Sequence, residues 1–293
     1  AVSLLRRALN IHERIGNRAE AARTLIELGR TLGAVNDLSG AFEHLSRART
    51  LCDELDLRAG MARALNLEAR LYVGFGAREE AHQRATEALR QASLHDVPRQ
   101  RASALETLGR CERLGGELDL GEQLLHEAQA LFRKQDDPAG VARTTFEVLE
   151  ILLQRKAGIL AEGILEQLGE QEVPERYQAR LQVLEVEVKL AFGRESDIGS
   201  RQLGTLERAA AWAERAHDHA LAWQIATTRG RVLERLNQPE SALRSFVEAM
   251  SGIRRLLDNV PKRLRAGYLL LPECGRCKAD FARLRDAAAG GGE

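Results

Sequence analysis

Apolar residues along this chain fall at helical spacing and return with a fixed step. Leu25, Leu28, Gly29 and Leu32 share one face of a helix; a breaker-rich stretch, 33–40, follows, and Ala41, Leu45 and Ala48 then mark the face of a second helix. A step of 40 residues, read from Gly29 to Ala69, carries the same slots to Leu65, Ala69 and Tyr72 with Ala81, Ala85 and Ala88. Further steps reach Leu105, Leu108 and Gly109 with Gly121, Leu125 and Ala128, then Val148, Leu149 and Leu152 with Ala161, Leu165 and Leu168. One hairpin cannot bury such a stripe alone, whereas stacked neighbours can, so the period predicts an all-α solenoid of antiparallel helix pairs.

The pattern also divides the chain. Residues 1–16, with Leu4, Leu5, Leu9 and Ile11 as their apolar side, occupy the slots of a second helix, so the chain is expected to begin inside an incomplete repeat. Residues 17–260 form an array of about six pairs: 18–56, 57–96, 97–136 and 137–173, a diverged fifth from Glu175 to about Ala216 broken at 193–197, and a sixth. Ala226, Gly230 and Leu233 with Ala242, Phe246 and Ala249 mark the sixth. Capping helices are expected over 261–287, the first ending near Leu271 and the second following Pro272, and a flexible tail over 288–293. Asn17, Asp56, Asp96 and Asp136 stand just ahead of new helices and read as N-caps, whose short side-chain oxygens accept from otherwise unpaired backbone N–H groups.

Composition narrows the class of partner. Lys+Arg and Asp+Glu both total 43, so no overall field draws the chain to nucleic acid or a membrane, and electrostatic recognition has to come from local patterning. Aromatics are 4% and prolines 6, a long-helix composition that argues against strands. The bias of Arg over Lys hints at a GC-rich bacterial genome. No apolar run approaches the roughly 20 residues that span a bilayer, and the start does not resemble a signal peptide, so a cytoplasmic location is expected.

The motif Leu-x-x-Leu-Gly-x-x-Leu followed by Ala-x-x-x-Leu-x-x-Ala over 25–48 resembles the tetratricopeptide repeat, and the likeness extends over about 1–252. The usual unit is about 34 residues, and the longer step here is similar to the long-helix variant of bacterial regulatory arrays. The resemblance implies a right-handed superhelix whose first helices line a concave, partner-binding groove. Leu25, Leu65 and Leu105 stand where the family carries an aromatic, and the loop proline is present only as Pro239. The family's clamp for a peptide carboxylate is disfavoured, because Ile26, Arg30, Leu67, Ser103 and Thr107 occupy its slots.

Catalytic and metal motifs are sparse. Cys274-Gly-Arg-Cys277 places two thiols one helical turn apart, but no second pair completes a zinc site and no βαβ pattern supports thiol exchange. His217-Asp218-His219 falls at a predicted turn where Asp218 serves as an N-cap. No His-Glu-x-x-His, Gly-x-x-x-x-Gly-Lys or Gly-x-Ser-x-Gly occurs, so no enzyme activity, metal or cofactor is expected. More informative are two arginine slots seven residues apart on one face of the first helices: Arg23, Arg63 and Arg143 in one, Arg30, Arg70, Arg110 and Arg231 in the other. With Ile26, Asn66, Phe146 and Leu153 they form the candidate concave partner-binding face. The competing reading is a solvated face balanced by Glu27, Glu106, Glu147 and Glu150.

The expectation is a non-catalytic scaffold or regulatory arm of a larger bacterial signalling or transcription-regulatory protein. It holds a protein or peptide segment with acidic residues, and helix 1–16 offers a route to self-association. A sensor of a short signalling peptide is one alternative. A regulatory part of an enzyme with its catalytic domain elsewhere is another.

Overall fold

The computed structural model describes residues 1–169 and 173–290, the side chains of 195 and 288–290 excepted. The flexible tail expected at 288–293 lies, from 291 on, outside the described residues. Fifteen α-helices are described: α1 (Val2–Arg14), α2 (Arg18–Ala34), α3 (Leu38–Glu54), α4 (Arg58–Gly74), α5 (Arg78–Leu94), α6 (Pro98–Gly115), α7 (Leu118–Lys134) and α8 (Pro138–Gln154), with α9 (Gly158–Gly169), α10 (Glu175–Phe192), α11 (Ser200–Arg215), α12 (His219–Arg235), α13 (Pro239–Asp258), α14 (Lys262–Leu269) and α15 (Pro272–Gly290). First helices begin at Arg18, Arg58, Pro98 and Pro138, and second helices at Leu38, Arg78, Leu118 and Gly158, so the 40-residue step of the sequence is the step of the structure.

The turns show how the sequence enforces that step. Gly16, Asn36, Asp56, Gly76, Asp96, Gly116, Asp136 and Lys156 recur every twentieth position, and all have positive φ. The next residue's N–H then reaches back five positions, as from Asp37 to the Leu32 carbonyl (3.0 Å) and from Leu57 to that of Cys52 (2.8 Å). This is a Schellman-type helix stop, and it needs a residue that tolerates the left-handed region, which Gly, Asn and Asp do best. Of the four expected N-caps, Asn17 fills that role, its side chain accepting from the Glu20 N–H at 3.2 Å. Asp56, Asp96 and Asp136 do not. They are the left-handed residues one place earlier, and the following positions are Leu57, Val97 and Asp137. Asp37, Asp137 and Asp218 also act as side-chain caps, accepting from the Gly40, Gly140 and Leu221 N–H groups at 3.0, 2.9 and 2.9 Å.

The chain forms two compact units, residues 1–140 with 259–269 and residues 141–258 with 270–293. In unit 1 the core runs through Leu25, Ile26 and Leu28 of α2, Leu45, Ala48 and Cys52 of α3 and Ala64 of α4. One slot governs how closely each hairpin closes: Gly29 faces Leu45 and Gly109 faces Leu125, with no room for a Cβ at either glycine. In the intervening hairpin Ala69 and Ala85 hold the equivalent positions, so a larger first-helix residue is matched by a smaller second-helix one. Helix α1 covers this core with Leu9 but leaves Leu4, Ile11 and Ile15 exposed.

In unit 2 the core joins Ala179, Val183 and Val186 of α10 to Leu206, Ala209 and Ala213 of α11 and to Leu221, Ile225 and Val232 of α12. Gly230 admits Phe246 just as Gly29 admits Leu45. Helix α15 packs on α13 and reaches α12 through Arg231–Asp280 (2.7 Å), where the first helix of a further hairpin would lie. Its Cys274 and Cys277 are fully buried, and Thr227 of α12 hydrogen-bonds Cys277.

A candidate partner-binding face on the first helices

Counted from each helix start, the sixth residue of successive first helices is Arg23, Arg63, Ser103, Arg143, Arg180 and Gln224. The thirteenth is Arg30, Arg70, Arg110, Glu150, Glu187 and Arg231. Seven residues are nearly two turns, so both slots lie on one face. In α2, α4 and α6 they hold five arginines; in α8, α10 and α12 the thirteenth slot turns acidic at Glu150 and Glu187. Arg180 was invisible to a count in steps of 40, because the register slips after Pro174; a count from helix starts recovers it.

In unit 1 the arginines stand near solvent. Side-chain exposure is 67% for Arg23, 54% for Arg30 and 42% for Arg63. Arg23 pairs with Glu20 on its own helix, while Arg30 (2.8 Å) and Arg63 of the next hairpin converge on Glu27. Burial works to raise the Glu27 pKa, but the hydrogen bond from Arg30 and the charge of Arg63 outweigh it and hold the carboxyl below its usual value. Arg70 and Arg110 are half-buried and already engaged by neighbours. Asn66 is buried, its side-chain oxygen accepting from Thr107 Oγ1 at 2.9 Å and so tying α4 to α6.

Two expected apolar anchors are core side chains. Ile26 is 2% exposed within the α2–α3–α4 core. Phe146 is buried edge-to-face against Tyr177, with ring centroids 6.2 Å apart. Ile26 and Phe146, three residues past the sixth-residue slot, face the neighbouring hairpin, which a linear pattern does not reveal. Leu153 is half-buried.

In unit 2 the same slots close on one another. Arg143 Nη1 donates to the Tyr177 hydroxyl at 3.2 Å, Arg180 Nη1 donates to Gln224 Oε1 at 2.7 Å and Arg180 Nη2 to Glu150, and Thr228 donates to Glu187 at 3.1 Å. Burial opposes the charge on Arg180, but Glu150, Glu187, Glu273 and Glu147 outweigh it and raise its pKa further. Glu150, Arg180, Glu187, Gln224 and Glu273, with Trp223, Thr227, Arg231 and Arg276, line a small cleft of about 10 Å³, space for about one water. In the sequence Glu147 and Glu150 stand out only as balancing charges, and Glu187, Gln224, Glu273 and Arg276 fall outside the 40-residue register of the arginine slots and carry no signal there.

Two features read as possible chemistry are structural. Burial pushes the Cys274 thiol up to about 12 and raises that of Cys277 as well, the reverse of an activated thiolate. Asp218 caps α12, and His217 takes the left-handed turn position. Among the described residues no group of three or more His, Cys, Asp or Glu could hold a metal ion, and no helix is long and apolar enough to cross a membrane.

No protein-family model matches the sequence, and no curated protein matches it. Solved structures do. The chain is similar to a Rap protein complexed with competence and sporulation factor at 16% identity and a TM-score of 0.73, over 88% of this chain and 71% of that one. It is similar to the apo form of RapI at 14% identity and a TM-score of 0.66, over 89% and 92%. It is also similar to aspartyl phosphate phosphatase F from Bacillus subtilis at 13% identity and a TM-score of 0.67, over 88% of this chain and 66% of that one. At these identities the likeness shows the fold, and the described residues share the all-α, helical-repeat architecture of the Rap structures.

Proposed function

We propose that this chain is a non-catalytic, regulatory scaffold, acting in the bacterial cytoplasm, that holds an acidic peptide or protein segment against the first helices of unit 1. The observation that carries the reading is the arginine cluster itself: among the described residues Arg23, Arg30 and Arg63, on two adjacent first helices, share Glu20 and Glu27 as their ion-pair partners. Guanidinium groups give carboxylates bidentate, directional hydrogen bonds. An exposed pair contributes at most about 1 kcal/mol, so recognition takes several together, as a column of equivalent slots supplies.

A short-peptide sensor is the second reading. It is favoured by the likeness to a Rap protein complexed with competence and sporulation factor, and by the charged groups Arg180, Glu150 and Glu187, which hold the same slots on the first helices of unit 2. An array of ten-residue peptides graded from neutral to strongly acidic tests the proposal. Binding that rises with acidic content and weakens with salt supports it, since screening acts on exposed charges; binding indifferent to both counts against it. Chain association at helix α1, through exposed Leu4, Ile11 and Ile15, belongs to the same proposal and is read by light scattering.

A further inference from the structure

Helix α14 is eight residues long and begins just after Pro261 and ends just before the Leu270–Pro272 break, yet it packs 191 to 221 residues back along the chain (263 − 72 and 263 − 42), in unit 1. Its landing site is aromatic. Phe42 of α3 and Tyr72 of α4 lie with ring centroids 4.8 Å apart, and the Arg263 guanidinium stands 5.6 and 5.7 Å from the two centroids. Tyr268 packs on Phe75 at 5.3 Å. Between these contacts two backbones touch, because Gly267 and Gly76 have no side chains: a Cβ on Gly76 would collide with the Gly267 carbonyl, and one on Gly267 would lie 2.8 Å from the Phe75 oxygen. Val260, Leu264 and Tyr268 are buried, whereas Leu270, at the exit, is 83% exposed.

A helix this short has no stability of its own, since isolated helices under about 12 residues are marginal in water. Helix α14 rests on a guanidinium over two rings, one ring pair, a glycine crossing and the burial of Leu264 and Tyr268, a small set beside the full cores of the hairpins it packs on. Local opening follows the weakest such set of contacts. We propose that Phe42, Tyr72 and Phe75 form a docking site for a short helical segment bearing Arg and Tyr five residues apart, and that α14 occupies it in cis as a displaceable clasp, opening as a unit while the hairpins stay folded. The site is distinct from the arginine face and stands without it.

Two measurements on the full chain test this. The first is hydrogen exchange by mass spectrometry in Gly267→Ala. Alanine is the better helix former, so a merely local helix would be protected more, whereas a clasp blocked at its glycine crossing exchanges about tenfold faster or more over 262–269, with 18–96 unchanged. Greater protection of 262–269, or faster exchange spreading through 18–96, overturns the proposal. The second uses a labelled synthetic peptide of residues 259–271 and fluorescence anisotropy. Tethering gives the cis segment an effective concentration of about millimolar, so micromolar peptide should bind the Arg263→Ala/Tyr268→Ala chain at least about tenfold more tightly than the parent. Equal binding to both, or binding to neither, would sink the idea.

Discussion

Arg231 Nε donates to Asp280 Oδ2 at 2.7 Å, joining the last first helix to α15 in the slot that carries Arg30 in the opening hairpin. Both side chains are about one quarter exposed or less, so the pair is worth more than a surface bridge. Arg231→Ala and Asp280→Ala should each destabilise unit 2 by about 1–2 kcal/mol, and the double variant should cost clearly less than their sum. A double-mutant cycle in urea reads the coupling; strict additivity would show that the contact holds nothing.

Gly29 and Leu45 predict a compensation. Alanine at 29 gains up to about 1 kcal/mol of helix propensity yet drives a Cβ into Leu45, and overpacking a core costs about 1–3 kcal/mol. Gly29→Ala should therefore lower stability. Gly29→Ala with Leu45→Ala should recover part of the loss relative to Leu45→Ala alone, because Ala69 and Ala85 already pair that way one hairpin on. Chemical denaturation of the three variants checks the order.

Glu234 carries a pH dependence of known sign. A hydrogen bond from Arg283 lowers its pKa, burial opposes this only in part, and Arg231 and Arg235 add to the lowering. A carboxylate depressed in the folded state contributes stability above its unfolded pKa, and that contribution is lost as pH falls through the folded value. Glu234→Gln should therefore lower stability at neutral pH and leave it nearly unchanged well below pH 4, flattening the acid limb of a melting-temperature profile. An unchanged acid limb would show that the Arg283 bond does not persist in solution.

All four cysteines are free and buried, and burial pushes Cys52 to about 11 and Cys274 to about 12. A thiol reagent at pH 8 should therefore leave the native chain almost unlabelled and modify four thiols in denaturant. Rapid labelling of Cys274 or Cys277 in the native chain would mean that α15 opens far more often than its packing implies.

The repeat was legible because stacking imposes one slot pattern on every hairpin; Gly29, Gly109 and Gly230 can be found by counting. The turns were legible in kind but shifted by one residue: Asp suits both a cap and a left-handed position, and composition alone does not choose between Asp56 and Leu57. Ile26 and Phe146 were placed on the surface because a linear pattern gives the face of a helix but not the angle at which the next hairpin covers it. The return of α14 to Phe42 and Tyr72 left no periodic trace, since a contact across 221 and 191 residues (263 − 42 and 263 − 72) is specified by shape alone.

The most direct test of the partner-binding claim is the affinity of an acidic peptide, chosen from the graded array, for the chain with Arg23, Arg30 and Arg63 all changed to Glu. These three are the exposed members of the column, so helical content should be kept, while the melting temperature should fall by about a few degrees because Glu27 loses both of its partners. Binding should fall by about a hundredfold or more, from loss of three favourable contacts and their replacement by repulsion. A variant that folds normally and binds the peptide as tightly as the parent would contradict the account and place the recognition surface elsewhere.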